Sequence, residues 1–371
     1  MANKFGYVYK KSRLKLTSLN IVYNIGSAFE KPGMRGISHL MEHLITKAVD
    51  KYEDRFLNDC IEFNAYTSLN HVVVYFRGLD SKLTPDFKQE LVNAILYNFN
   101  EITQEQFDTE KMIVTQEILD EYENPDDGHF ANILYGYYNV TDPAGVPEDV
   151  ANFTLKEARK LAKDFFSKPA RIVEVGPTST TFKKIKYNTE IAPANVPKFK
   201  KTKNIIKNVA AGDKVCMFGL SKKILKKSDY PYLTIGLNML SDGLQSPLYQ
   251  EIREKRGLSY FVGADKTMFG QAGIVDVFVC TTPEKLDELI SVFTKIKNNI
   301  KKYLTKERFK IIINLIKTKR EIEKCLPYKG VSDLITPEDL RLPKNLDKIE
   351  FKKVVEVTEK YFGENMVIET R

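Results

Sequence analysis

Two of the four histidines in this 371-residue chain, His39 and His43, stand one helical turn apart with Glu42 between them. On an α-helix, residues at i and i+4 project from one face, so both imidazoles can aim a ring nitrogen at a single metal ion. Glu42, three positions after His39, points near the same spot without having to join the coordination shell. A catalytic zinc takes three protein ligands and keeps one position for water, so an acidic third ligand has to come from elsewhere. Glu117, 74 residues beyond His43, is the candidate. Zinc lowers the pKa of bound water to about 7 and polarises a carbonyl. Glu42 would take the proton from that water and hand it to a leaving amine. The chemistry these residues could do is hydrolysis of a peptide bond.

Helix-period runs at 36–48 and 107–122 would carry these side chains, with further helical runs at 87–98, 233–240, 286–300 and 309–325. Strand-like runs fall at 20–25, 71–78, 214–220 and 272–280. Strands and helices mix without strict βαβ alternation, which predicts α+β domains, each a largely antiparallel sheet with helices packed on one face. The chain also reads as one domain written twice. Thr154-Leu-Lys-Glu157 is a capping box opening an amphipathic helix, followed by a strand at 170–175. The same helix–break–strand order recurs at 351–370, where Tyr361-Phe362 answer Phe165-Phe166 at a separation of 196 residues. Between the halves, a Lys-, Thr- and Asn-rich stretch with Pro193 and Pro197 reads as a linker. The expected domains are 1–180 and 208–371, joined by 181–207.

Such a length suits two domains, and 43% hydrophobic residues can build a core for each. The net charge of +8 is uneven: residues 1–190 hold 23 Lys+Arg against 27 Asp+Glu, and 191–371 hold 34 against 22. The lysines of the basic half lie along amphipathic helices without interleaved aromatics, which argues for solvated faces and against nucleic acid. No apolar run approaches the roughly 18 residues of a membrane span, and residues 1–7 do not read as a secretion signal. A cytoplasmic location is the expectation. Cys60, Cys216, Cys280 and Cys325 are widely spaced and are expected to be reduced, largely buried thiols.

The motif around the histidines has the inverted H-x-x-E-H order of one zinc-peptidase class. Gly26-Ser27, Glu30 and Gly36-Ile-Ser-His39-Leu-Met-Glu42-His43 resemble the signature of the pitrilysin/insulinase/mitochondrial-processing-peptidase family. The resemblance continues through Asn64-Ala65-Tyr66-Thr67-Ser68, Glu110 to Glu117, Asp142-Pro143 with Gly145, and Thr154. In the second half, Ser246-Pro-Leu-Tyr-Gln-Glu-Ile-Arg253 followed by Leu258 and Tyr260 is similar to a further block of that family.

The resemblance implies a zinc metalloendopeptidase that cuts short or unfolded peptides, with one zinc per chain on His39, His43 and Glu117 and Glu42 as general base. Glu110, two turns before Glu117 on the same helix face, would support the ligand shell. Asn64, Ala65 and Tyr66 would bind substrate by β-augmentation. Arg253 and Tyr260 would hold substrate and steady the developing oxyanion. Relatives with four such domains close two halves around a chamber, which implies a homodimer here, with Arg253 and Tyr260 serving the partner's metal site. His71 and His129 lie outside the motif and read as structural or solvated. Thr46-Lys47-Ala48 replaces a glycine-threonine turn common in the family, and Glu62-Phe63 replaces a frequent glycine pair, so the substrate-edge loop differs. A dedicated processing protease, such as a viral or phage maturation enzyme, is the alternative enzyme. A non-catalytic peptide-binding or assembly subunit, or a heterodimer with a motif-less paralogue, is the alternative of another class.

Overall fold

The computed structural model describes residues 6–123, 138, 140–188, 215–269, 272–324, 331, 334–335 and 340–370. His129, Cys325 and 189–207 of the expected linker lie outside the described residues. The described chain falls into two compact units: the first holds residues up to 188 apart from Tyr138, together with 322–324, Val331, Leu334 and Ile335, and the second holds the remainder.

In the first unit the strands β1 (Gly6–Lys11), β2 (Leu16–Tyr23), β3 (Glu62–Thr67), β4 (Val72–Leu79) and β5 (Arg171–Gly176) lie in the order β1-β5-β2-β4-β3. β1 runs parallel to β5 and every other pairing is antiparallel. β2 and β4 are near-continuously buried because both of their faces are covered. On one face Leu19, Ile21, Val74 and Phe76 pack under the helices α1 (Ile37–Thr46), α2 (Glu53–Asn58), α3 (Pro85–Tyr97) and α4 (Gln104–Glu123). On the other, Val22, Val73, Val173 and Val175 meet Val331 and Ile335. Phe182, Ile185 and Tyr187 fold back onto the first core. Strand β1 had no sequence-based expectation. It is anchored by a wholly buried ion pair, Lys88 Nζ to Glu174 Oε1 at 2.5 Å, whose carboxylate also accepts from Tyr7 and from the Thr180 amide and hydroxyl.

The second unit repeats the plan. Its strands β6 (Val215–Ser221), β7 (Leu225–Lys226), β8 (Val262–Phe269), β9 (Ala272–Thr281) and β10 (Met366–Thr370) pair antiparallel. The path β10-β6-β9-β8 matches β5-β2-β4-β3 strand for strand. Helices Tyr230–Ser241, Leu286–Asn298, Lys306–Lys324 and Phe351–Tyr361 supply the core side chains, with Tyr361 and Phe362 fully buried like Phe166 in the first unit. The capping box forms as expected, Thr154 and Glu157 exchanging side-chain-to-backbone bonds. Among the described residues no helix is long and apolar enough to cross a membrane.

The thiol expectation needs correcting. Cys216 and Cys280 form a disulfide, and Cys60 is exposed rather than buried. The two bonded cysteines are 64 residues apart in sequence, yet the antiparallel register of β6 and β9 sets them directly opposite each other. Spacing along the chain carries no trace of that register.

Candidate metal centre

Helix α1 presents Ile37, Leu40, Met41, Leu44 and Ile45 to the core, which leaves His39, Glu42 and His43 half-buried on its other side. Its start is built from the residues before it. Gly36 sits at φ 93°, a conformation glycine adopts without strain, and opens the helix. The Glu30 carboxylate accepts from the Gly36 and Ser38 amides, both at 2.8 Å, and so caps the free end of the helix. Gly145, at φ 106°, packs against Gly36 so closely that an added Cβ would lie 2.2 Å from the Gly36 Cα.

That close packing delivers the Ala144 carbonyl to His39, whose Nδ1 lies 3.0 Å from it. A carbonyl only accepts, so His39 carries its proton on Nδ1 and turns the Nε2 lone pair outward. Glu110, buried on α4, does the same for His43, with Oε2 3.1 Å from Nδ1. Lys47 holds the other Glu110 oxygen at 3.1 Å. The two Nε2 atoms then face Glu117 Oε2 at 3.3 Å and 3.5 Å. Ligand atoms of His39, His43 and Glu117 lie within 4.8 Å of one another. Three lone-pair donors converge there with both imidazole protons committed elsewhere, an arrangement suited to a cation and chemically matched to zinc. Glu42 stands outside this set, its Oε2 accepting from the Thr67 hydroxyl at 2.8 Å.

Asn64, Ala65 and Tyr66 lie on β3, which ends the sheet path and so has one unpaired edge among the described residues. Arg253 and Tyr260 lie in the second unit. The Arg253 guanidinium sits in a widened helical turn, Tyr249–Glu254, with its carbon 4.6 Å from the Tyr249 ring centre and 4.3 Å from that of Tyr260. Tyr260 is 82% exposed. Ser246, Leu248 and Ile252 of the same block are buried, so half of that motif is core. Thr67, Ala144, Lys47 and Tyr249 were not singled out from the sequence. All four lie in or beside the quoted motifs, but a backbone carbonyl such as that of Ala144 has no residue-type signal at all.

Two family profiles match the chain: insulinase (peptidase family M16) over residues 8–142, and the peptidase M16 inactive domain over 150–316. The chain belongs to the pitrilysin/insulinase family. His39, Glu42, His43, Glu110 and Glu117 fall in the first match, Arg253 and Tyr260 in the second. An "uncharacterized zinc protease" of Rickettsia bellii is 24% identical over 79% of this chain and 74% of its own length. Among solved structures, a protease from Helicobacter pylori superposes with a TM-score of 0.80 at 17% identity, covering 98% of this chain and 96% of that one. The M16 inactive domain from Pseudomonas fluorescens gives 0.73 at 16% identity over 98% and 94%. The Rickettsia relative carries zinc protease in its name, and the two solved structures share the fold of this chain.

Two titratable groups of the first unit, buried Glu30 and half-buried His71, are shifted with opposing effects. Burial pushes the Glu30 carboxyl up to about 7, against the amides that favour its charged form. Burial, then the nearby Arg171 charge, push His71 at the β3–β4 turn down to about 4 against a backbone bond at Tyr23, and among the described residues its buried Nδ1 has no hydrogen-bond partner. His71 therefore contributes stability above its unfolded pKa near 6.5 that is lost as pH falls towards 4, by about 3 kcal/mol. Glu30 contributes stability below about 4.5 that is lost as pH rises to 7, of similar size. Urea unfolding at pH 4.5 and 7 should show the His71→Gln variant relatively more stable at the acid end and Glu30→Gln relatively less. The same pH trend in both variants would contradict these environments.

Proposed function

We propose that this chain is a zinc-dependent endopeptidase acting on short or unfolded peptides. The observation that carries this reading is the convergence of His39 Nε2, His43 Nε2 and Glu117 Oε2, with Glu42 on the helix of the two histidines and outside the converging set. His39, His43 and Glu117 would hold the metal, and Glu110 and the Ala144 carbonyl keep the two rings turned. Zinc, when bound, supplies a Lewis acid that acidifies water and polarises a carbonyl. Glu42 takes a proton from water and returns it to the leaving amine. The free edge of β3 at Asn64–Tyr66 pairs with the substrate backbone, which gives affinity with little demand on sequence. Arg253 and Tyr260 donate to the charge developing on the carbonyl oxygen.

The direct test is cleavage of a quenched fluorescent peptide. Activity should vanish with a chelator and return on adding back zinc. Tight peptide binding with no cleavage by the zinc-loaded protein would favour a binding subunit instead.

We further propose a homodimer in which Arg253 and Tyr260 serve the partner's metal centre. Glu42→Gln and Tyr260→Phe chains, each nearly inactive alone, should regain activity when mixed. A mixed dimer then pairs an intact metal centre with an intact tyrosine. Only monomer in light scattering under fully active conditions, or no recovery despite subunit exchange, would sink this.

A further inference from the structure

We propose that Thr67 is the positioning residue for Glu42, locking the carboxylate beside the three-donor cluster while leaving one oxygen open to take a proton. This rests on the reading of Glu42 as general base. The Thr67 hydroxyl carries a single hydrogen, and both groups near it are acceptors: Glu42 Oε2 at 2.8 Å and the Ser38 carbonyl at 3.4 Å. The shorter contact goes to the carboxylate, and bonds to a charged acceptor are the stronger kind. Among the described residues Thr67 is the hydrogen-bond partner of Glu42, so Oε2 is occupied and Oε1 stays available.

A glutamate on a helix surface has three side-chain torsions, and one firm hydrogen bond removes most of that freedom. Thr67 is also the last residue of β3, opposite Val72 of β4, and it follows Asn64-Ala65-Tyr66 directly. Side chains alternate along a strand, so Thr67 shares the helix-facing side with Phe63 and Ala65 while Asn64 and Tyr66 are exposed. One strand thus carries both the free edge offered to substrate and the hydroxyl that aims the base. A peptide held on that edge is placed relative to the Thr67 hydroxyl by the covalent geometry of the strand, and relative to Glu42 through the one hydrogen bond.

The experiment compares Thr67→Val, which keeps the side-chain shape without the hydroxyl, with Thr67→Ser, which keeps the hydroxyl. Thr67→Ala serves as a second hydroxyl-free variant should the valine disturb folding. Removing the hydroxyl should lower kcat by about 10- to 100-fold with KM and zinc content little changed, and serine should restore most of the loss. In a Glu42→Gln background the same change should have no further effect on residual turnover, because the group it positions is gone. A structural role would instead alter zinc content or thermal stability and would persist in that background. Near-normal turnover in both hydroxyl-free variants, with Glu42→Gln inactive, overturns the positioning role alone. Full turnover in Glu42→Gln itself overturns the base assignment and this inference with it.

Discussion

Glu42→Gln should lower peptide turnover by about 10²- to 10⁴-fold, the usual contribution of a positioned general base, while the protein keeps its zinc. Glutamine matches glutamate in shape and can still accept from the Thr67 hydroxyl, so the surroundings of residue 42 need not move. What it lacks is the capacity to take a proton from water at neutral pH. Glu42 is also absent from the cluster of converging donors, so metal retention should be untouched. Turnover of a fluorescent peptide and metal content by atomic emission, measured on the same preparation, separate the two quantities. Wild-type turnover in the variant would remove Glu42 from the mechanism. Loss of the metal along with activity would instead make Glu42 part of the coordination.

The largest expected effect on stability lies outside the candidate metal centre, at Lys88. Both it and Glu174 are fully buried, bonded at 2.5 Å. Lys88→Met removes the cation and leaves the Glu174 carboxylate sealed with, among the described residues, the Tyr7 hydroxyl and the two Thr180 donors. Breaking a buried pair from one side typically costs about 3–5 kcal/mol. That is a large share of the roughly 5–15 kcal/mol that holds a typical domain together. The double variant Lys88→Met/Glu174→Gln should recover part of the loss, since no unpaired charge remains inside. Urea titrations of the three proteins provide the comparison. A double variant as unstable as the single one would show that packing, and not the stranded charge, sets the cost.

Features that depend on short spacings were legible in the chain itself. His39 and His43 share a face because four residues make about one helical turn, and Glu110 and Glu117 share one because seven make about two. The same local geometry made the Thr154–Glu157 capping box, the core-facing stripe of α1 and the repeated helix–strand unit readable from residue order alone. Everything that depends on which segments meet came from the tertiary fold. The parallel pairing of β1 with β5, the Cys216–Cys280 bond, the Ala144 carbonyl against His39 and the Thr67 hydroxyl against Glu42 join positions from 25 to 165 residues apart. Strand register and loop packing set those contacts, and neither leaves a period in the chain. Residue types could thus nominate His39, His43 and Glu117 as candidate ligands and Glu42 as a candidate base, but only the fold could orient the two imidazoles and set the Thr67 hydroxyl against the glutamate.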